Sequence, residues 1–159
     1  METLSKGEMK LVGIKVVGRR SELSHRAPMA WLELKANLGG IGNHSNPDLF
    51  YGVFPQSDHI TDGVNGVHTY WVAVEVSDFG AVPAGMTTLT IPAQTYLMTK
   101  AKGPAQAIES AYMGLYGHLR ELGRKTDPNG YGFERYDQRR QAPTPPYEQF
   151  DYDIYVPLA

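Results

Sequence analysis

Apolar residues cluster in short runs along this chain, and the spacing within each run differs between strand and helix. Residues 11–19, Leu11-Val12-Gly13-Ile14-Lys15-Val16-Val17-Gly18-Arg19, are rich in β-branched side chains and bounded by polar segments, which predicts a strand. Ser24 offers an N-cap ahead of Pro28, and Met29, Trp31, Leu32, Leu34 and Leu38 form an imperfect helical stripe that Gly39-Gly40 ends. Residues 49–54 predict a second strand. A long turn carrying Gly63, Asn65 and Gly66 leads into a third at 70–76, with Val72, Val74 and Val76 on one face.

The same order of elements then returns after Val82-Pro83-Ala84-Gly85. Residues 86–102 read as one long extended stretch, in which Pro92 argues for an edge position or a bulge. Gly103-Pro104 opens the clearest helix, with Ala107, Ile108, Ala111, Tyr112, Leu115, Leu119 and Leu122 at helical spacing and Gly123 as its stop. The Asp127-Pro128-Asn129-Gly130 turn precedes a strand at 131–137, a proline-rich loop spans 141–149, and a last strand covers 150–156. Two strand-helix-strand-strand units predict an α+β fold: a duplicated βαββ with pseudo-twofold symmetry, an antiparallel sheet and two main helices. Repeat one covers about 10–80 and repeat two about 86–159, within a single domain. Pockets form preferentially where such halves meet.

Composition narrows the chemistry. At 159 residues the chain can bury a sizeable core, and without cysteine it has neither disulfides nor thiolate ligands or nucleophiles. A net charge of −2 gives no electrostatic footprint for direct nucleic-acid binding, and Arg139-Arg140 is the longest basic cluster. No apolar run approaches a membrane span and no leader-like segment opens the chain, so the expectation is a soluble cytoplasmic protein. The five histidines show no metal-ligand spacing, and the glycines form no phosphate loop, so no metal or cofactor is expected.

One carboxylate stands out. Glu134 lies among aromatics in Tyr131-Gly132-Phe133-Glu134-Arg135-Tyr136-Asp137, and an anion beside aromatic faces suits a lipophilic cation. Asp137, at an odd offset, belongs to the other strand face, which leaves Glu134 without a partner acid from its own strand. Trp31 and Trp71 are candidate ligand walls, with core packing as the alternative. Tyr112 can aim its hydroxyl into a groove. Phe54 matches Glu134 when the repeats are aligned on their shared Tyr-Gly, at Tyr51-Gly52 and Tyr131-Gly132. Tyr155 alternates with Ile154 and Val156 and faces away from the apolar side that packs on a helix, leaving groove lining and solvent exposure open. The candidate ligand-binding set is therefore Glu134, Trp31, Tyr51, Phe54, Trp71, Tyr112 and Tyr155.

Several segments converge on a family. Ile91-Pro92-Ala93-Gln94-Thr95-Tyr96, the Lys102-Gly103-Pro104 helix start, Gly132-Phe133-Glu134-Arg135-Tyr136-Asp137 and Asp153-Ile154-Tyr155-Val156-Pro157-Leu158 resemble the GyrI-like, or AraC-type, effector-binding domain, with stand-alone integron-cassette members nearest. The first half matches mainly through Pro28, Trp31, Tyr51-Gly52 and Glu75-Val76. The resemblance implies a ligand groove between the halves and a glutamate in it, by motif Glu134, that meets cationic or aromatic compounds. Larger relatives carry a DNA-reading domain for which this chain has no room, so a transcriptional role would require a separate regulator as partner. Other relatives bind DNA gyrase, and some hydrolyse cyclopropane-bearing DNA-alkylating toxins, for which Glu134 would act as general base. Function resides in the site rather than the fold, so binder, hydrolase and gyrase partner stay open here.

Overall fold

The computed structural model describes residues 1–60 and 66–159. Eight strands form one sheet: β1 (Glu2–Lys6), β2 (Met9–Arg19), β3 (Leu49–Pro55), β4 (Val67–Val76), β5 (Thr87–Ile91), β6 (Gln94–Gly103), β7 (Tyr131–Asp137) and β8 (Phe150–Pro157). Two long helices, α1 (Arg20–Ala36) and α3 (Gln106–Leu122), flank a short α2 (Ser57–Ile60). The sheet order is β1-β6-β8-β7-β3-β4-β2-β5, with antiparallel neighbours throughout. Each half contributes the same block: β2-β4-β3 mirrors β6-β8-β7. The blocks join along β3 and β7, where Val53 faces Phe133, Gly52 faces Glu134 and Phe54 faces Gly132. The pseudo-twofold passes through the Val53–Phe133 pair, so the Tyr-Gly alignment of the two repeats coincides with their physical pairing.

Two expectations about the strands change. The stretch at 86–102 breaks at Pro92-Ala93 into an edge strand, β5, and β6, and the N-terminal residues supply a further strand, β1. The exchange is reciprocal: β1 leads into the first repeat but pairs with β6 of the second, while β5 leads into the second and pairs with β2 of the first. These pairings bend the sheet. Gly7 and Glu8 alone separate β1 from β2, and such a link joins Cα atoms no more than about 11 Å apart. In a flat sheet those strands would stand six strand spacings, about 29 Å, apart. Pro92-Ala93 imposes the same limit between β5 and β6. The sheet therefore curls until its two ends approach each other.

Curling creates two cores. Helices α1 and α3 cover one face, where Val12, Val16, Val72, Val74, Val76, Ile154 and Val156 pack against Trp31, Leu34, Leu115 and Leu119. No helix of the described residues covers the other face, yet Leu11, Tyr51, Val53, Trp71, Tyr96, Phe133 and Tyr155 are buried there against one another. Phe133 stacks on Tyr155 at 4.5 Å between centroids and meets Tyr96 edge-on at 5.2 Å.

The helices differ in how well the chain announces them. In α3, Gly123 adopts φ 66° and its N–H caps the Arg120 carbonyl, while Arg124 N–H bonds that of Leu119. The first helix starts four residues before Ser24, because the Glu22 carboxylate accepts the Arg19 N–H at 3.0 Å and caps the end of β2. Ser24 Oγ instead donates to the Ser21 carbonyl, and Pro28 sits inside the helix. The buried side of α1 is Ala30, Trp31 and Leu34, whereas Met29 and Leu32 of the predicted stripe are exposed. Of the turn expected around Gly63, Asn65 and Gly66, the first two lie outside the described residues.

Candidate functional site

Glu134 projects from β7 to the helix-covered face, opposite Gly52 of β3. Strand periodicity puts Tyr136, two residues on, on the same side. The carboxylate accepts three phenolic hydroxyls: Tyr112 of α3 donates to Oε1 at 3.0 Å, and Tyr136 and Tyr70 of β4 donate to Oε2 at 3.1 and 3.2 Å. The donors come from α3, from β7 itself and from β4, so the carboxylate ties the helix to β7 and, across β3, to β4. Burial pushes the Glu134 pKa up, and the three hydroxyls oppose that rise by solvating the charged form. Burial and the Glu134 charge together hold the Tyr70, Tyr112 and Tyr136 hydroxyls protonated, far above their ordinary range. The hydroxyls remain donors at any physiological pH.

Space for this cage depends on the two Tyr-Gly glycines. A Cβ on Gly52 would collide with the Tyr70 hydroxyl, and one on Gly132 would collide with the Phe54 ring. The pseudo-twofold thus places a glycine beneath each of the matched positions, Glu134 and Phe54. Both line a pocket of about 130 Å³ together with Tyr70, His68 and Thr69 of β4. Its outer wall is Arg20 and Leu23 of the first turn of α1, with Asp58 of α2, whose Oδ2 accepts the Thr69 N–H at 2.9 Å.

The predicted residues divide by sheet face. Glu134 and Phe54 line the pocket, and Tyr112 meets Glu134 through its hydroxyl without lining it. Trp31 is buried behind it, edge-on to Tyr136 at 5.6 Å and to Phe50 at 6.4 Å, and so holds one of the donors in place. Tyr51, Trp71 and Tyr155 lie on the opposite face, inside the curl. Tyr51 donates to Glu75 at 3.3 Å, Trp71 meets Tyr131 edge-on with Lys15 over its ring, and Tyr155 carries Lys6 and Arg135 against its faces. Tyr155 is neither solvent-exposed nor beside Glu134, because the curl buries that face.

Sequence reasoning missed Tyr70, Tyr136, His68, Arg20, Leu23, Asp58 and Thr69. Tyr136 was reachable from strand periodicity alone, and Tyr70 by extending the Val72-Val74-Val76 face two residues back. Tyr152, buried at 4.7 Å from the Tyr136 ring, completes the aromatic wall, and burial with the nearby Glu134 charge raises its pKa. Asp58 and Arg20 at the mouth carried no local signal.

Residues 4–158 match the family model described as integron-associated effector binding protein. No curated protein matches the chain. Among solved structures, SAV2435 bound to tetraphenylphosphonium shares 19% identity and a TM-score of 0.69, over 99% of this chain and 93% of that one. The integron cassette protein from the mobile metagenome of Vibrio cholerae gives 10% and 0.62, over 99% and 95%. EcmrR, in complex with DNA, gives 16% and 0.68, and there this chain spans 99% of its own length but 56% of the other. At these identities the likeness establishes the shared fold.

Proposed function

Since the chain belongs to the family of integron-associated effector-binding proteins, its shared property is the binding of a small molecule, and we propose that the ligand here is a lipophilic cation held by Glu134. The observation that carries this reading is the carboxylate with three tyrosine donors at the wall of a pocket. An ionised carboxylate offers about four lone-pair sites, and three are taken. What the group has left to offer a ligand is charge rather than hydrogen bonds. A quaternary onium or delocalised cation, which has no N–H to satisfy, loses least in such a site, whereas a primary ammonium would leave donors unmet. The Tyr70 and Phe54 rings that line the pocket add area and cation–π attraction, worth roughly 0.5–2 kcal/mol per good contact. Tetraphenylphosphonium, the ligand of the related SAV2435 structure, is a cation of this kind.

The pocket as it stands is below the roughly 300–1,000 Å³ usual for drug-sized ligands. A bulky cation therefore enters by displacing the outer wall, Arg20 and Leu23, rather than Tyr70, which is tied to Glu134. Titration calorimetry tests the proposal: Glu134→Gln should weaken tetraphenylphosphonium on the order of tenfold or more and leave the neutral triphenylphosphine oxide within about twofold. Equal losses for both ligands would remove the counter-ion role.

A second reading has one observation in its favour. The raised pKa of Glu134 suits a general base, and one lone-pair site remains for a water. In that reading Glu134→Gln still binds a cyclopropane-bearing compound but does not open it, and absence of turnover by the unaltered protein across a panel of such compounds rejects it.

A further inference from the structure

One turn beyond Tyr112, α3 borders a second concavity. Gly123 ends the helix in a left-handed turn, and the residues after it border, with the last turn of the helix, an open surface cleft of about 470 Å³. This volume lies within the range of ligand pockets. Tyr116, the buried Leu119 and Pro128 supply its apolar surface, and Arg120, Arg124 and Lys125 supply its rim. The rim is all of one sign: no acid lines the cleft, and among the described residues none of these three cations has a carboxylate within ion-pair distance. The acids nearest in sequence do not line the cleft. Glu121 lies 3.8 Å from His118, and Asp127 Oδ1 accepts the Asn129 N–H.

A bland account assigns basic residues to the negative end of the helix dipole. It covers Arg120, in the last turn, but Arg124 and Lys125 lie beyond a helix end whose carbonyls at Leu119 and Arg120 already accept backbone N–H groups. The Tyr116 hydroxyl is hydrogen-bonded to the Gln56 side-chain amide at 3.0 Å, which fixes the ring along the cleft.

We propose that this cleft is a second binding site, for an amphipathic anion. A sulfonate or carboxylate head meets the Arg120, Arg124 and Lys125 rim, and an aromatic or short aliphatic body lies on Tyr116, Leu119 and Pro128. The chemistry is opposite in sign to that at Glu134 and does not depend on it. Arginine and lysine stems keep their heads in water while covering apolar surface, so the rim binds a charged head without being buried itself.

Fluorescence titration of the full chain with 8-anilinonaphthalene-1-sulfonate, and with neutral N-phenyl-1-naphthylamine as the same body without the head, tests the site. The anion should saturate one site. Its affinity should fall on the order of tenfold when Arg120, Arg124 and Lys125 are all replaced by Gln. The neutral probe should change less than about twofold, because the apolar surface is intact. Glu134→Gln and saturating tetraphenylphosphonium should leave the anion's affinity unchanged. The charge reversal Arg124→Glu, a single exposed substitution, should weaken the anion in the same direction. The inference is overturned if the anion does not saturate, if neither rim variant weakens it, or if tetraphenylphosphonium displaces it.

Discussion

Burial raises the pKa of the Glu134 carboxyl, and the hydroxyls of Tyr112, Tyr136 and Tyr70 limit the rise. In the unfolded chain the same group titrates near the ordinary glutamate value, about 4.3. Between that value and the raised one, the unfolded chain has released a proton that the folded protein keeps. The stability this group contributes is thus complete below the ordinary value and is lost as pH rises through the raised one. Glu134→Gln should therefore be more stable than the parent at neutral pH, with the difference vanishing in acid, as denaturant midpoints across pH would show. With Glu134 in the proposed counter-ion role cation binding runs the other way, because it would need the ionised form, and affinity for tetraphenylphosphonium should fall as pH drops through the raised pKa. Tyr112→Phe removes one hydroxyl that favours the charge. It should move the half-loss of binding upward by about one pH unit, given roughly 1.5–3 kcal/mol for a hydrogen bond to a charged group. An unmoved pH profile would mean that Tyr112 does not solvate the charge.

Among the elements, β3 and β7 decide whether the cage can form. Both Tyr-Gly pairs sit where these strands cross the pseudo-twofold, and the glycines are there for close approach rather than for an unusual backbone. Gly52→Ala should push the Tyr70 hydroxyl off Glu134. The expected cost is about 1–3 kcal/mol of stability for overpacking, together with weaker onium binding, whereas a surface glycine such as Gly39, with nothing near its Cβ position, should tolerate alanine. Thermal unfolding and calorimetry on the two variants separate these outcomes. The conspicuous motif residues before β6 serve the frame: Pro92-Ala93 makes the tight link, and Gln94 Nε2 donates to the Leu158 carbonyl at 2.6 Å. They identify the fold without touching the site.

For the molecule as a whole, the exchanged strands β1 and β5 convert two βαββ units into one curled sheet with a second, helix-free core. Leu4 of β1 packs on the cluster that holds Tyr96, Phe133 and Tyr155. Deleting residues 1–6 should uncover part of that cluster and the β6 edge, lowering stability on the order of 3 kcal/mol. It should leave affinity for tetraphenylphosphonium nearly unchanged, because the cage lies on the other face. Denaturant unfolding and titration of the truncated chain measure both. Loss of binding in a protein that remains folded would show that the curl also shapes the pocket.

The sequence by itself determined the repeated order of strand, helix and two strands apart from β1 and the β5–β6 break, the β7 and β3 boundaries to within a residue, the stop at Gly123, and Glu134 as a carboxylate set among aromatics. These follow from local periodicity, turn chemistry and motif, which act within a few residues. Only the tertiary structure decided which aromatics meet that carboxylate. Tyr131 and Phe133, its neighbours in sequence, point to the other face, whereas Tyr70 and Tyr112 are distant in sequence and adjacent in space. A strand sends successive side chains to opposite sides, so closeness along the chain separates residues that strand pairing and helix docking must bring together. The burial of Tyr155, Tyr51 and Trp71 was hidden for the same kind of reason. It depends on the short links between β1 and β2 and between β5 and β6 closing the curl, a constraint no single strand carries in its own sequence.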